Sequence, residues 1–393
     1  MATNVINIRR FVDVTTGVVT APANTARDWG ALLFVQKGED GASTTLKTYL
    51  DYQEMVDSGI SNTEAMVAGT QFYGTSYNGV SPNSPLTVAT IGAQSTEEFS
   101  QNFVALLANE DYYLIVLDRT FTDEQKIAAA QAVEANANVA AHKLFLDDYS
   151  YATVNQEELS GATVSGFVGL NKLAHSIAVW SNSTWAQGEG QERKTEKRYY
   201  SAALAAFYAT RQFNASNRQM CSSAHKAASG IEAVDFTDPS VTVTPTAAYD
   251  NLVAKNANAY INVKLVGLTA WERGTVGNGN DLSDMIAADY LNYVVTMRVF
   301  SVLQTYPRVP MNADGATILG TAINSAFMEL ASTGIIGSGV STDGEVFSGF
   351  GYKYSIPVPT GVAKANGLWE NITCSALLAG STKKVVIGNT LKQ

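Results

Sequence analysis

The chain has 393 residues, room for two or three domains at roughly 150 residues each. Hydrophobic residues make up 46% and charged residues 16%, a globular balance well short of the charge density that keeps chains disordered. The 26 basic side chains against 36 acidic ones leave a net charge of −10, which argues against nucleic acid as the main partner, because phosphate binding needs a basic face.

In chain order, Val5–Val14 reads as an extended strand, with Ile6 and Ile8 alternating against Asn7 and Arg9. A Gly-, Pro- and Asn-containing linker follows. The first residues lack a charged start leading into an apolar run, so no signal peptide is expected, and the chain is read as assembled in a cytoplasm. From about 28 to 185 strands alternate with helices. Ala31–Val35, Leu86–Ile91, Tyr112–Leu117, Lys143–Leu146 and Ser176–Trp180 are the strand candidates. Ser95-x-x-Glu98 predicts a capped helix with Phe99, Phe103, Leu106 and Leu107 on one face, and Thr122-x-x-Gln125 opens the next, with Ile127, Ala130 and Val133 inward. This pattern predicts an α/β sandwich with a partly parallel sheet.

Residues 187–198 are the most polar stretch, and Arg193, Lys194, Lys197 and Arg198 form a basic cluster within it. It reads as the solvated start of a helix over about 199–212, or as a patch for an acidic partner or neighbouring subunit. Pro-containing punctuation over 235–246 marks a boundary. Beyond it come a helix over about 246–256 and a strand at Tyr260–Val266. Asp281 then caps a helix to about Gln304 that is apolar nearly all round, the pattern of a buried or shared helix. Asp281, Asp284, Asp289 and Arg298 interrupt it, so no membrane span is expected. A helix over about 314–332 closes on Gly334 as a left-handed cap. Strands follow at Tyr352–Val358, Ile372–Leu378 and Lys384–Ile387.

Candidate chemistry is sparse. Cys221 and His225, four apart, would share a helix face, but no second pair at ligand spacing accompanies them, and two cysteines make no disulfide framework. His142 reads as non-catalytic. Gly274-x-x-Gly277-x-Gly279 is not in the order of a dinucleotide-binding loop, and Asp281 and Asp284 would repel phosphate, so it reads as a tight connection. Asp147 and Asp148, where α/β enzymes often hold catalytic acids, read as a solvated strand end. No convergent set of acid, base and nucleophile emerges, so no enzyme, cofactor or metal is expected.

The two terminal strands are the informative feature, because an exposed strand tends to complete another chain's sheet. The stretch Pro245–Tyr260, with its Lys255-Asn-Ala-Asn-Ala-Tyr260 turn, then Ile261-Asn-Val263 and Glu272-Arg-Gly-Thr275, resembles the contractile tail sheath proteins of bacteriophages. The segments Ile372–Gly388 and Ala202–Arg211 are also similar to that family, although Ser381-Thr382 stands where many members carry Ile-His.

The resemblance implies an α/β and α+β architecture. An N-terminal arm (1–25) and an α/β outer domain (26–240) precede an α+β sheath core domain facing the tube (241–380) and a C-terminal arm (381–393). It implies stacked rings of identical subunits around an inner tail tube, joined by exchanged strands: Ile6, Ile8, Phe11, Val12 and Val14 at one end, Lys384, Val385, Val386 and Ile387 at the other. Baseplate and tail terminator would be further partners in a virion, with no nucleic-acid or direct lipid contact. Contraction would release stored interface energy without hydrolysis, the arms acting as hinges. Another self-assembling virion protein and a cytoplasmic α/β enzyme on a small acidic ligand are the alternatives.

Overall fold

The computed structural model describes residues 28–39, 43–60, 63–93, 95–108, 112–135, 142–149, 172–181, 198–210, 222–234, 250, 252–263 and 268–380, with 185–187 and 194–196 as backbone. Both terminal arms lie outside the described residues, as do Arg193, Lys197 and Cys221.

The first part is a six-stranded sheet. Its strands are β1 (Leu32–Lys37), β2 (Thr45–Tyr49), β3 (Leu86–Ile91), β4 (Leu114–Leu117), β5 (Leu144–Tyr149) and β6 (Ser176–Trp180), in the spatial order β2-β3-β1-β4-β5-β6. Five run parallel, with Leu32 opposite both Leu86 and Leu114; β2 pairs antiparallel at one edge. The parallel strands read as continuous apolar runs because helices cover both faces. On one face lie α3 (Thr96–Leu107) and α4 (Asp123–Glu134), which pack on each other. On the other lie α2 (Thr63–Gly74) and α5 (Tyr200–Ala209), with α1 (Tyr52–Asp57) against α2.

The predicted caps form. Ser95 accepts from the Glu98 amide, and Thr122 and Gln125 make the reciprocal pair that satisfies two first-turn donors of α4. Phe99, Phe103, Leu106 and Leu107 are all buried. The inward face of α4 runs through Lys126, Ala129, Ala130 and Val133. Ile127 is only half-buried, because Lys126 turns inward to a carboxylate of β5. The region between residues 36 and 85, where the sequence pattern suggests no element, supplies β2, α1 and α2.

Two short hairpins follow. β7 (Trp185–Gln187) pairs with β8 (Lys194–Glu196), so Lys194 sits in a strand and not at a helix start; α5 begins at Tyr200. β9 (Tyr260–Val263) pairs with β10 (Leu268–Trp271). The long helix α6 (Leu282–Thr305) is capped by Asp281, whose side chain accepts from the Ser283 amide. By length and composition α6 could cross a membrane, yet most of its residues from Leu282 to Thr296 are buried in protein. α7 (Ala313–Ser332) packs on it, capped by Asn312, with Gly334 at φ +72° just beyond its end.

The remaining elements are small: β11 (Gly339–Val340) with β12 (Val346–Phe347), α8 (Gly361–Ala365), and β13 (Tyr352–Ser355) with β14 (Thr373–Ala376). One buried apolar cluster runs from Trp29 through the sheet into α6, α7 and Ile336. Trp29 marks the join, meeting Tyr113 beside β4 and Tyr290 and Tyr293 of α6 at centroid distances of 4.7, 5.6 and 5.5 Å.

Candidate functional site

The carboxyl ends of β4 and β5 are where an α/β scaffold would hold reacting groups. Three carboxylates stand there, and each is occupied by the fold. Asp147 and Asp148 lie within β5 and are buried, 1% and 5% exposed, so the expected solvated strand end is corrected. Adjacent strand residues point to opposite faces, and each aspartate meets a different helix layer.

Asp147 is 2.8 Å from the Lys126 ammonium on α4. Burial outweighs that lysine and pushes the Asp147 carboxyl up to about 6. Asp148 points to the other face. It accepts from the Ser201 amide at 3.1 Å and from the Ser201 hydroxyl. The N-cap of α5, Tyr199, offers no side-chain cap, so Asp148 supplies one from the neighbouring strand and places a negative charge at the helix start. Asp118, raised by burial, accepts from the Thr120 amide at 2.9 Å. Nearby, Tyr199 donates to Glu64 at 2.8 Å while its ring carries the Arg119 guanidinium 4.0 Å above it. These groups cap, clamp and neutralise one another, which is structural work.

A second polar centre lies at the other end of the sheet. His142 precedes β5, His175 precedes β6, and Asp289 belongs to α6; all three are buried, with ligand atoms within 4.8 Å of one another. The imidazoles stack at 4.4 Å, tilted by 24°. His175 Nε2 is 3.3 Å from Asp289 Oδ1, and its Nδ1 is 3.4 Å from Glu134 Oε2 at the end of α4. Glu134 also accepts from the His175 amide at 2.9 Å, and Tyr113 donates to Asp289 Oδ2 at 2.7 Å. Burial disfavours the charge on His175, but Asp289 and Glu134 outweigh it and raise its pKa to about 10. For Asp289 and Glu134 burial likewise opposes ionisation, and His175 more than reverses it, holding both carboxyls below their ordinary values. No sequence motif signals this cluster, because its members come from three distant segments. His225, by contrast, sits in a turn at φ +62° and not on a helix, so the expected shared face with Cys221 is corrected.

The turn Lys255–Tyr260 proves to be a clasp. Asn256 takes a left-handed φ of +54°, which asparagine tolerates, and donates to the Gly277 carbonyl at 2.9 Å. Asn258 is fully buried. Its backbone pairs with β6, donating to Ala178 O at 2.9 Å and accepting from Trp180 N at 2.8 Å. Its side chain accepts from the Thr275 amide at 2.9 Å and donates to the Thr275 carbonyl at 2.7 Å. Tyr260 donates to the Ala228 carbonyl at 3.0 Å. The Gly274–Gly279 loop is a tight connection: Gly277 donates to Ser176 O at 2.8 Å, and Thr275 bridges to Asp281. These residues add a strand-like segment to the sheet edge and aim α6 across the core.

Of the basic cluster, Arg198 has its guanidinium 3.7 Å from Glu232, and Lys194 is a strand residue opposite Gln187. The described surface is unevenly apolar. Val340, Val346, Phe350, Val358, Val362 and Leu368 are all more than two-fifths exposed, in the region after α7.

The family model for the C-terminal domain of E217 tail sheath protein gp31-like proteins matches residues 282–390, which includes α6, α7 and the hairpins beyond. A search of curated proteins finds no match. Among solved structures, the chain is similar to the helical sheath of the anti-feeding prophage in its contracted state, at 13% identity, with 96% of this chain and 97% of that one covered and a TM-score of 0.63. It is similar to a chain of that prophage's six-fold symmetrised baseplate structure, at 14% identity, full coverage of both chains and a TM-score of 0.61. It is also similar to the sheath complex of an extracellular contractile injection system, PVC, in its contracted state, at 11% identity, 96% coverage of both chains and a TM-score of 0.62. The chain therefore has the fold of contractile sheath subunits, and its residues 282–390 match a tail sheath C-terminal domain family.

Proposed function

We propose that this protein is the structural subunit of a contractile tail sheath, polymerising helically around an inner tube and contracting to drive that tube through a host envelope. The observation that carries this reading is the joint one: a tail sheath domain over 282–390 in a chain that follows contracted sheath subunits over nearly its whole length. The chemistry agrees, since the buried carboxylates at the strand ends serve helix capping and ion pairing. A sheath stores energy in its interfaces and needs no reacting group.

In this reading residues 241–380 face the tube and the α/β part faces outward. Residues 6–14 and 384–387 exchange as strands between copies, and Arg193, Lys194, Lys197 and Arg198 meet a neighbour or the tube. The inner tube protein, baseplate and tail terminator are the remaining partners, met in the host cytoplasm before the tail joins a virion or injection particle. Neither an enzyme nor a different virion component is favoured by any observation of this fold.

The test is truncation of residues 1–15, followed by sedimentation velocity at rising concentration. The shortened chain is expected to keep its circular dichroism and melting temperature and to stay small where the full chain forms large assemblies. Assemblies of unchanged size and shape from the truncated chain would refute the exchanged-arm mechanism.

A further inference from the structure

The His142, His175 and Asp289 cluster has the anatomy of a metal centre. His175 Nε2 and Asp289 Oδ1 are 3.3 Å apart. A charge-assisted hydrogen bond between such groups closes to about 2.7–2.9 Å. Two ligands of one tetrahedral zinc-like ion, each roughly 2.0–2.2 Å from the metal, stand about 3.3–3.6 Å apart. The pair is thus spaced as neighbouring ligands.

The surroundings fit the same reading. A metal-bound imidazole has its other nitrogen oriented by a carboxylate, and a ligating carboxylate is itself hydrogen-bonded. Here His175 Nδ1 faces Glu134 at 3.4 Å, with Glu134 fixed by the His175 amide, and Asp289 Oδ2 is held by the Tyr113 hydroxyl at 2.7 Å. His142 supplies the third ligand, its ring atom within 4.8 Å of the other two. Ligation would take the His142 ring out of its 4.4 Å stack on His175, so that its lone pair could meet the shared point.

We propose that His142, His175 and Asp289 form a buried site for a zinc-class divalent cation, with Glu134 and Tyr113 as the orienting residues and a water in the fourth position. Two nitrogens and one oxygen suit such an ion better than the hard oxygen-seeking cations. Because the ligands come from the approaches to β5 and β6 and from α6, the ion would pin the long helix to the sheet. The site is structural, and it stands independently of the sheath reading.

The test uses the full chain, produced without an affinity tag in zinc-supplemented medium. Elemental analysis should give close to one zinc per chain, removal by chelator should lower the melting temperature, and Co²⁺ should replace it with the visible absorption of a tetrahedral site. His142→Gln should abolish stoichiometric metal, and Glu134→Gln should weaken binding by about 10- to 100-fold. A chain carrying under a tenth of an equivalent of metal, with no cobalt band and a melting temperature unmoved by zinc or chelator, overturns the proposal. So does metal content unchanged in a folded His142→Gln variant. If that variant fails to fold, the metal content and cobalt spectrum of the unmutated chain decide alone. A metal-free chain would leave the buried ion pair of His175 with Asp289 as the cluster's whole role.

Discussion

The two ends of α6 live in different environments, and so do the regions they serve. From Leu282 to Thr296 the helix is almost wholly enclosed, packed on Trp29 and Tyr113 and on a sheet whose parallel strands are buried on both faces. From Met297 to Thr305 it emerges, with Leu303 and the following Tyr306 more than two-fifths exposed. The elements after α7 are similarly open. There β13 and β14 form a two-stranded sheet, and Val340, Val346, Phe350, Val362 and Leu368 face outward. A two-stranded sheet is marginal alone, and apolar side chains gathered at a surface mark an interaction site. The first region is a finished core, and the second leaves its apolar side chains open to solvent. Such a division suits a subunit that stays rigid while its contacts rearrange.

The largest effect is expected inside the finished region. Trp271 is fully buried, donates its indole N–H to the Tyr77 hydroxyl at 2.8 Å and meets Tyr260 edge-on at 5.4 Å. Trp271→Ala should cost about 3–5 kcal/mol, read by denaturant unfolding. A cost below about 1 kcal/mol would show that the Trp271 side chain is not part of the core that holds the sheet.

A smaller loss is expected in the unfinished region. Gly351 has φ +84°, and a Cβ there would lie 2.2 Å from the Gly337 carbonyl oxygen. Gly351→Ala should destabilise the chain by roughly 1–3 kcal/mol through that strain. Amide exchange should rise around β13 and β14, with protection of β1, β3 and β4 unchanged.

The caps offer a finer probe of the finished region. Ser95→Ala should cost about 1 kcal/mol, because it orphans a first-turn amide of α3. An effect near zero would mean that tertiary packing alone holds that helix.

Acidity gives a graded test of the buried strand end. The folded state raises the Asp147 carboxyl from its usual value near 4 to about 6, so it binds a proton more tightly than the unfolded chain does. Stability from this group is full below about pH 4 and is lost as pH rises through about 6. Asp147→Asn should flatten that part of the stability profile, measured by denaturant midpoints across the range.

The smallest stability effect belongs to the surface. Val362→Ser, at a side chain 75% exposed, should change stability by less than about 0.5 kcal/mol while weakening self-association in sedimentation. Assembly untouched by Val340→Ser, Val346→Ser and Val362→Ser together would show that this face takes no part in it.

Residues taken alone reveal what is decided locally. Ser95, Thr122, Asp281 and Gly334 announce helix ends because caps form within three or four residues, and Leu86–Ile91 and Ser176–Trp180 announce buried strands by their apolar runs. Asp147 and Asp148 mislead because their burial depends on Lys126 and Ser201, which other helices deliver. The His142, His175 and Asp289 cluster is invisible in sequence for the same reason. β2 escapes notice because four of its five residues are exposed at a sheet edge, leaving no apolar run to read. The Lys255–Tyr260 turn carries a resemblance in sequence, but its task as a clasp emerges only when Asn258 meets β6.

If the chain is a sheath subunit, its copies must build an open-ended helical tube. Electron microscopy of the negatively stained full chain at rising concentration, alone and then seeded with tube and baseplate, would show whether they do. Hollow, transversely striated tubes that lengthen with concentration are expected. Small closed particles under every condition, including the seeded one, would contradict the sheath function.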